Sequence, residues 1–356
     1  MTHRRWWWRV LKAVLTLAIL AGVGWQFVRI LQAPELQGAD RERSPTEILW
    51  DHIRAARPGW LLASGVLYLL GLGFPALYWA RLQRHLGQQL PGPLAVCRAY
   101  YVSHLGKYLP GKAWALALRA TLIARPGVRV SVAGLASFYE VLTTMTGGAL
   151  FAAVLFFFLV PDRGAAPDWA TIKALFALRL DDSSVLDRRL LMTAAFLVAL
   201  PVGLPILPPL FNRIVDRASL PFRQEDAAPL PLVRIAYLAE GLVLSCGAWV
   251  LLSASMIAVF QAVLPGSVDW SIATWGRHTA LFAVGYVSSF LIFWMPGSFV
   301  VREYSLTLFL VPEIVATTDL GGAEAPLAVM IAVVILRLIW MLAEVLISAA
   351  LYWLPV

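Results

Sequence analysis

The chain has 356 residues, of which 60% are hydrophobic and only 14% are charged, with a formal net charge of +8. A soluble domain of this length carries roughly a quarter charged residues, so an ordinary soluble enzyme is excluded. In so apolar a chain the positive charge points to cytoplasmic loops and anionic lipid headgroups, not to nucleic acid.

The apolar residues gather in runs long enough to cross a bilayer, about 20 residues each, and the alternation of a membrane barrel is absent. The expected fold is all-α: a polytopic helical integral membrane protein, one membrane domain over 1–356, with about 7–8 spans and a cell (cytoplasmic/inner) membrane location. The first residues, "MTHRRWWWRVLK", place Arg4, Arg5, Arg9 and Lys12 before an apolar run over 10–31. This pattern predicts a cytoplasmic start with Trp6, Trp7 and Trp8 anchored at the headgroups. No small-residue cleavage site follows, so the run reads as a span and not as a cleaved signal.

Further long apolar segments cover 59–80, 130–160, 190–211, 234–264, 271–295 and 326–354. Those at 130–160 and 234–264 are longer than the bilayer core demands, so they tilt, break or protrude. Two other stretches, 94–124 and 296–312, are apolar but interrupted by Pro-Gly and charge. They read as re-entrant or half-membrane helices, which are tolerated only where protein or a water-filled cavity covers the broken backbone. The longest polar connections, 32–58 and 161–188, mix both signs and are too short for a separate soluble catalytic domain. Arg81, Arg84, Arg98, Arg125 and Arg129 suit a cytoplasmic face around the first interrupted stretch. The loop 313–325, with Glu313, Asp319 and Glu324 and no Lys or Arg, suits the outside, although simple counting of spans does not put it there.

The two interruptions match each other. "HLGKYLPGKAWALALR" (104–119) and "FWMPGSFVVREYSL" (293–306) each place apolar residues before Pro-Gly and a helix with an Arg after it. Paired breaks in the two halves of a membrane protein suggest an internal repeat with a substrate site between its halves. Pro110 and Gly111 turn the backbone, and Pro110 suits a first helical position, where its missing N–H costs nothing. The new helix then directs free N–H groups and a positive dipole end at what precedes it. Lys112 lies in that first turn, Arg119 about two turns further on one face, and Lys107 on the other side of the break. With Arg302, these cations form a candidate receptor for a lipid phosphate. Pro296 and Gly297 make the second turn, where Ser298 can cap the helix. Glu303, like Glu140, is a candidate counter-charge or a contact for a cationic headgroup.

Lysines near helix ends also snorkel to the interface without further purpose, but charge inside an apolar stretch is costly and usually functional. Glu140, Thr143, Thr144, Gly147 and Gly148 share one helical face, which is either a close helix contact or a cavity wall. Arg337, Trp340, Met341 and Glu344 share a face of the last span, and Glu240 begins the run at 234–264. Glu140, Arg337 and Glu344 are therefore candidate cavity or counter-charge residues, and which charge meets which is not readable from spacing. Cys97 and Cys246 read as small hydrophobes and form no disulfide framework. The five histidines are scattered, so no metal site, cofactor or catalytic residue is expected. The spacing of Lys112 and Arg119 matches the start of the first motif of type-2 phosphatidic acid phosphatases. Ala120 stands where that motif has Pro, and its later motifs are absent.

At these residues the chain resembles the lysylphosphatidylglycerol synthase membrane-region family, which includes the flippase half of bacterial aminoacyl-phosphatidylglycerol synthases. Leu109–Lys112 with Arg119 looks like that family's Leu-Pro-Gly, cation and short helix. Pro296, Gly297, Arg302 and Glu303 look like its later Pro-Gly-Gly-x-Gly-x-Arg-Glu motif. Glu140 in "ASFYEVL" resembles its glutamate after small residues, and Arg337 the arginine of its final span. The resemblance covers roughly 94–345. Ser298, Phe299 and Val300 replace the glycine-rich part of the second motif, which implies a stiffer turn. The family's soluble aminoacylating domain has no counterpart here. The resemblance therefore implies a lipid translocase that binds an anionic phospholipid or glycolipid phosphate, and allows a separate lipid-modifying enzyme as partner. The alternative is a membrane subunit of a polyprenyl-lipid or polysaccharide transferase system.

Overall fold

Apolar runs with no backbone donor to spare in a bilayer have to close their own hydrogen bonds as helices. In the computed structural model, which describes residues 45–109, 113–160, 188–219, 231–268, 271–291, 298–318 and 324–354, every regular element described is helical. A short helix α1 (Pro45–Ala55) precedes the long α2 (Pro58–His85), which starts on a proline in its first turn. Two shorter helices, α3 (Pro93–His104) and α4 (Ala113–Leu122), lead to α5 (Val130–Leu159). Then come α6 (Arg188–Gly203), α7 (Pro208–Ser219) and α8 (Ile235–Val263). The last three are α9 (Ile272–Leu291), α10 (Ser298–Thr317) and α11 (Glu324–Trp353).

Four of these helices, α2, α5, α8 and α11, are long and apolar enough to cross a bilayer, so the described residues have the makings of a multi-pass membrane protein. This is fewer than the 7–8 spans expected, for three identifiable reasons. The run at 10–31 lies outside the described residues. The run at 190–211 is a pair, α6 and α7, bent by 59°, and counts as a fifth span only if the two are taken as one. Pro201, Pro205, Pro208 and Pro209 explain the bend, since each removes a backbone donor and crowds the preceding turn. The run at 271–295 does form α9, but Arg277 and His278 in its second turn leave it less apolar than the other four.

The most extensive helix contact is the antiparallel pair α2 and α8. Its register is marked by Arg57 N–H to Ala262 O at 3.2 Å, Ser64 to Ser255 at 2.9 Å, and Arg81 to Glu240 at 2.8 Å. α5 packs on α8 through the predicted small-residue face. A Cβ placed on Gly148 would lie 2.3 Å from the Trp249 indole, and one on Gly147 would collide with Ser245. The Trp249 Nε1–H donates to Thr144 O at 2.9 Å across the same seam. At these glycines the stripe is therefore a close helix contact and not a cavity wall.

The end where α2 finishes and α5 and α8 begin is rich in arginine: Arg81, Arg84, Arg125, Arg129 and Arg234. α7 docks at this rim, where the Asn212 carboxamide pairs with both backbone groups of Val233 at 3.0 Å. The opposite end balances Arg54, Arg57 and Arg277 with Glu47, Asp51 and Glu313. Arg277, early in α9, donates to Glu313 at 2.8 Å. Glu313, expected in a loop, thus lies inside α10 near the end far from the arginine-rich rim. Asp319 lies outside the described residues.

Candidate functional site

The first interrupted stretch folds as a hairpin. α3 starts on Pro93, behind Gly92, and ends in a 3-10 turn over Leu105–Tyr108; α4 brings the chain back. The way in and the way out are joined at the arginine-rich rim. Gln89 N–H donates to Gly127 O at 3.1 Å, and Arg129 N–H to the Gln88 side-chain oxygen at 2.7 Å. At the far end the arms touch: a Cβ on Gly106 would lie 2.8 Å from Ala115 Cα. Only glycine permits this approach. The twelve residues of α3 rise about 18 Å, roughly half of a 30 Å hydrocarbon core, so the hairpin enters and leaves by one end and its tip sits midway along the neighbouring helices.

Two carboxylates from other helices hold this hairpin. On the base side of the tip, Arg119 of α4 donates from Nη1 to Glu140 of α5 at 2.6 Å and from Nε to Ser103 Oγ, in the last turn of α3, at 3.2 Å. Its guanidinium lies 3.9 Å above the Tyr100 ring, and Tyr100 O–H donates to the second Glu140 oxygen at 3.2 Å. Thr144 O–H donates to that same oxygen at 3.4 Å. Both side chains of the pair are enclosed, with 2% and 3% exposure. Burial at this level is tolerable for charge only when the partners supply hydrogen bonds as well as Coulomb attraction.

At the tip, Lys107 Nζ forms an ion pair with Glu344 of α11. The same carboxylate accepts hydrogen bonds from Tyr68 O–H of α2 and, on its other oxygen, from Tyr108 O–H at 2.8 Å. Glu344 is 1% exposed, but Lys107 is 32% exposed. The Tyr68 ring is fixed by stacking on Trp340, centroids 4.3 Å apart, and Trp340 Nε1–H donates to Ser255 Oγ at 2.8 Å. The Lys107 ammonium has three N–H donors. Glu344 accepts one, and Tyr68 Oη is the further neighbour at 3.4 Å.

Of the residues singled out in the sequence, Lys107, Arg119, Glu140 and Glu344 therefore meet on one hairpin, in two separate pairs. Arg119, expected among the phosphate ligands, lies enclosed by Glu140, Ser103 and Tyr100 and joins the hairpin to α5. Arg337 lies partly buried on α11. Pro110, Gly111, Lys112, Pro296 and Gly297 lie outside the described residues. Arg302 and Glu303 fall on α10, which begins at Ser298 directly after the second Pro-Gly, and their side chains are outside the description. Glu240 forms a rim cluster with Arg81 and His85, at 2.8 and 3.1 Å. Cys97 and Cys246 are free thiols, partly buried. Among the described residues, no group of His, Cys, Asp and Glu could hold a metal ion.

The residues that sequence reasoning missed are the tyrosines. Tyr68, Tyr100 and Tyr108 supply hydroxyls to Glu140 and Glu344, the two carboxylates that hold the hairpin. The signal available was their position within apolar stretches, where a tyrosine hydroxyl has to find a partner. No protein-family model matches this chain, and no curated protein sequence matches it.

Proposed function

We propose that this protein is a membrane lipid translocase that receives the phosphate of an anionic phospholipid or glycolipid at the tip of the α3–α4 hairpin. The observation that carries the reading is Lys107: a cation about half-way along the long apolar helices, on a broken backbone, with a third of its side chain open. Ionisable groups at such depth are costly and mark substrate paths, and re-entrant backbone is tolerated where it lines a path. The resemblance to the lysylphosphatidylglycerol synthase membrane-region family points the same way, and makes Lys112 and Arg302 further phosphate ligands. In this reading the arginine-rich rim faces the cytoplasm of a bacterial inner membrane, and the hairpin opens from that side.

The test is a scrambling assay with the full-length protein in vesicles containing headgroup-labelled phosphatidylglycerol, the outer leaflet being bleached by a membrane-impermeant reductant. Protein-containing vesicles lose the protected half of the signal, and Lys107→Ala slows that loss about tenfold, the equivalent of one charged hydrogen bond. Protection equal to that of protein-free vesicles overturns the proposal.

A further inference from the structure

The Lys107–Glu344 pair is asymmetric, and the asymmetry has a direction. We infer that Glu344 is a built-in stand-in for the substrate's oxyanion: it holds Lys107 while no lipid is bound, and an incoming phosphate oxygen takes Lys107 from it. The inference rests on the translocase reading and adds to it the residue that sets how tightly the lipid is held.

Three observations support the exchange. Lys107 is open to an approaching anion, whereas Glu344 is enclosed and cannot follow it outward. Glu344 keeps two donors, Tyr68 and Tyr108, when the ammonium leaves. A buried carboxylate stripped of its partner would otherwise carry a heavy desolvation penalty. Finally, Lys107 sits in a four-residue 3-10 turn and not within α3 or α4, on a flexible four-carbon stem. Trading one charge-assisted hydrogen bond for another of the same kind nearly balances. Such balance lets a ligand both arrive and depart, which a transport site requires. The Arg119–Glu140 pair also keeps hydroxyl donors on its carboxylate, from Tyr100 and Thr144, but it lacks the other two properties: both partners are enclosed, and Arg119 lies within α4 with its guanidinium over the Tyr100 ring.

The experiment uses the full-length protein in detergent, titrated with short-chain phosphatidylglycerol, short-chain phosphatidylcholine and inorganic phosphate, with bound lipid counted by native mass spectrometry and thermal stabilisation followed in parallel. Exchange predicts opposite signs. Glu344→Gln, which no longer competes for Lys107, binds phosphatidylglycerol about tenfold more tightly than the unaltered protein. The double variant Tyr68→Phe, Tyr108→Phe leaves Glu344 dependent on Lys107 alone, and binds several-fold more weakly. Lys107→Ala loses binding. Equal or weaker binding by Glu344→Gln, with Lys107→Ala still impaired, overturns the exchange and leaves the translocase reading standing. Unimpaired Lys107→Ala overturns both. If Glu344→Gln does not fold, the tyrosine pair decides alone, since equal or tighter binding there overturns the exchange. A response to phosphatidylglycerol, with or without inorganic phosphate, supports a lipid oxyanion as the ligand. A response to inorganic phosphate alone overturns the lipid as its source.

Discussion

The base and the tip of the α3–α4 hairpin each join a cation of the hairpin to a glutamate of a long helix, and tyrosine hydroxyls attend both carboxylates. At the base everything is closed in: the arginine gives one N–H to Glu140 and another to Ser103, and lies over the Tyr100 ring. At the tip only the carboxylate is closed in, and the amine at the end of Lys107 is partly open. The same pair of charges is thus used once to fasten and once to hold something exchangeable. Identity of the cation matters here. Guanidinium suits a fixed, planar, multiply bonded seat, and an ammonium on a flexible stem suits a partner that changes.

The contrast is best broken at the base. Arg119→Ala leaves Glu140 charged and enclosed, a loss of about 3–5 kcal/mol for a broken buried pair; the expected result is failure to accumulate folded protein, read by size exclusion and thermal melting. Replacing both partners with apolar residues of similar volume, Arg119→Met with Glu140→Leu, recovers most of that stability. If the single variant melts like the unaltered protein, the base is not the fastening described here. At the tip, Lys107→Ala lowers scrambling about tenfold and shifts melting less than Arg119→Ala does. Equal melting losses at the two sites would erase the difference between them.

Conservative exchanges sharpen the comparison with smaller effects. Arg119→Lys loses the second N–H to Ser103 and the guanidinium contact with Tyr100, and lowers stability by about 1–2 kcal/mol, whereas Lys107→Arg keeps the charge and holds transport within about threefold. The smallest effect concerns topology. Gln89→Cys and Arg125→Cys, in a chain with Cys97 and Cys246 replaced by Ala, are both exposed beside the rim and react with an impermeant maleimide from one and the same side. Labelling from opposite sides would mean that the stretch between them crosses the membrane.

Much of this was legible in the chain, because its strongest signals are local. Uninterrupted apolar runs at 59–80, 130–160, 234–264 and 326–354 became α2, α5, α8 and α11 with ends displaced by a few residues. The break at 94–124 announced itself through Pro110, Gly111 and the flanking cations. The prolines after Pro201 were equally visible, yet the hydropathy of 190–211 as a whole outweighed them and hid the bend. Partnership was not legible, since it is a property of the packed helices: Glu344 lies 237 positions from Lys107 and 276 from Tyr68. The small-residue face after Glu140 left contact and cavity equally open until the Trp249 indole was seen against Gly148. The tyrosines escaped notice because a ring among apolar residues looks like packing, and only the geometry shows what its hydroxyl meets.

Those long separations also bear on biogenesis. Tyr68, Lys107 and Tyr108 leave the ribosome early, and the carboxylate they share comes some 240 residues later, in α11. Until that helix is inserted, the hairpin tip holds an uncompensated ammonium in an apolar setting. Late in synthesis, arrival of Glu344 is therefore the event that lets the tip settle. A nascent chain stalled before α11 would present its hairpin to the quality-control machinery as unfinished.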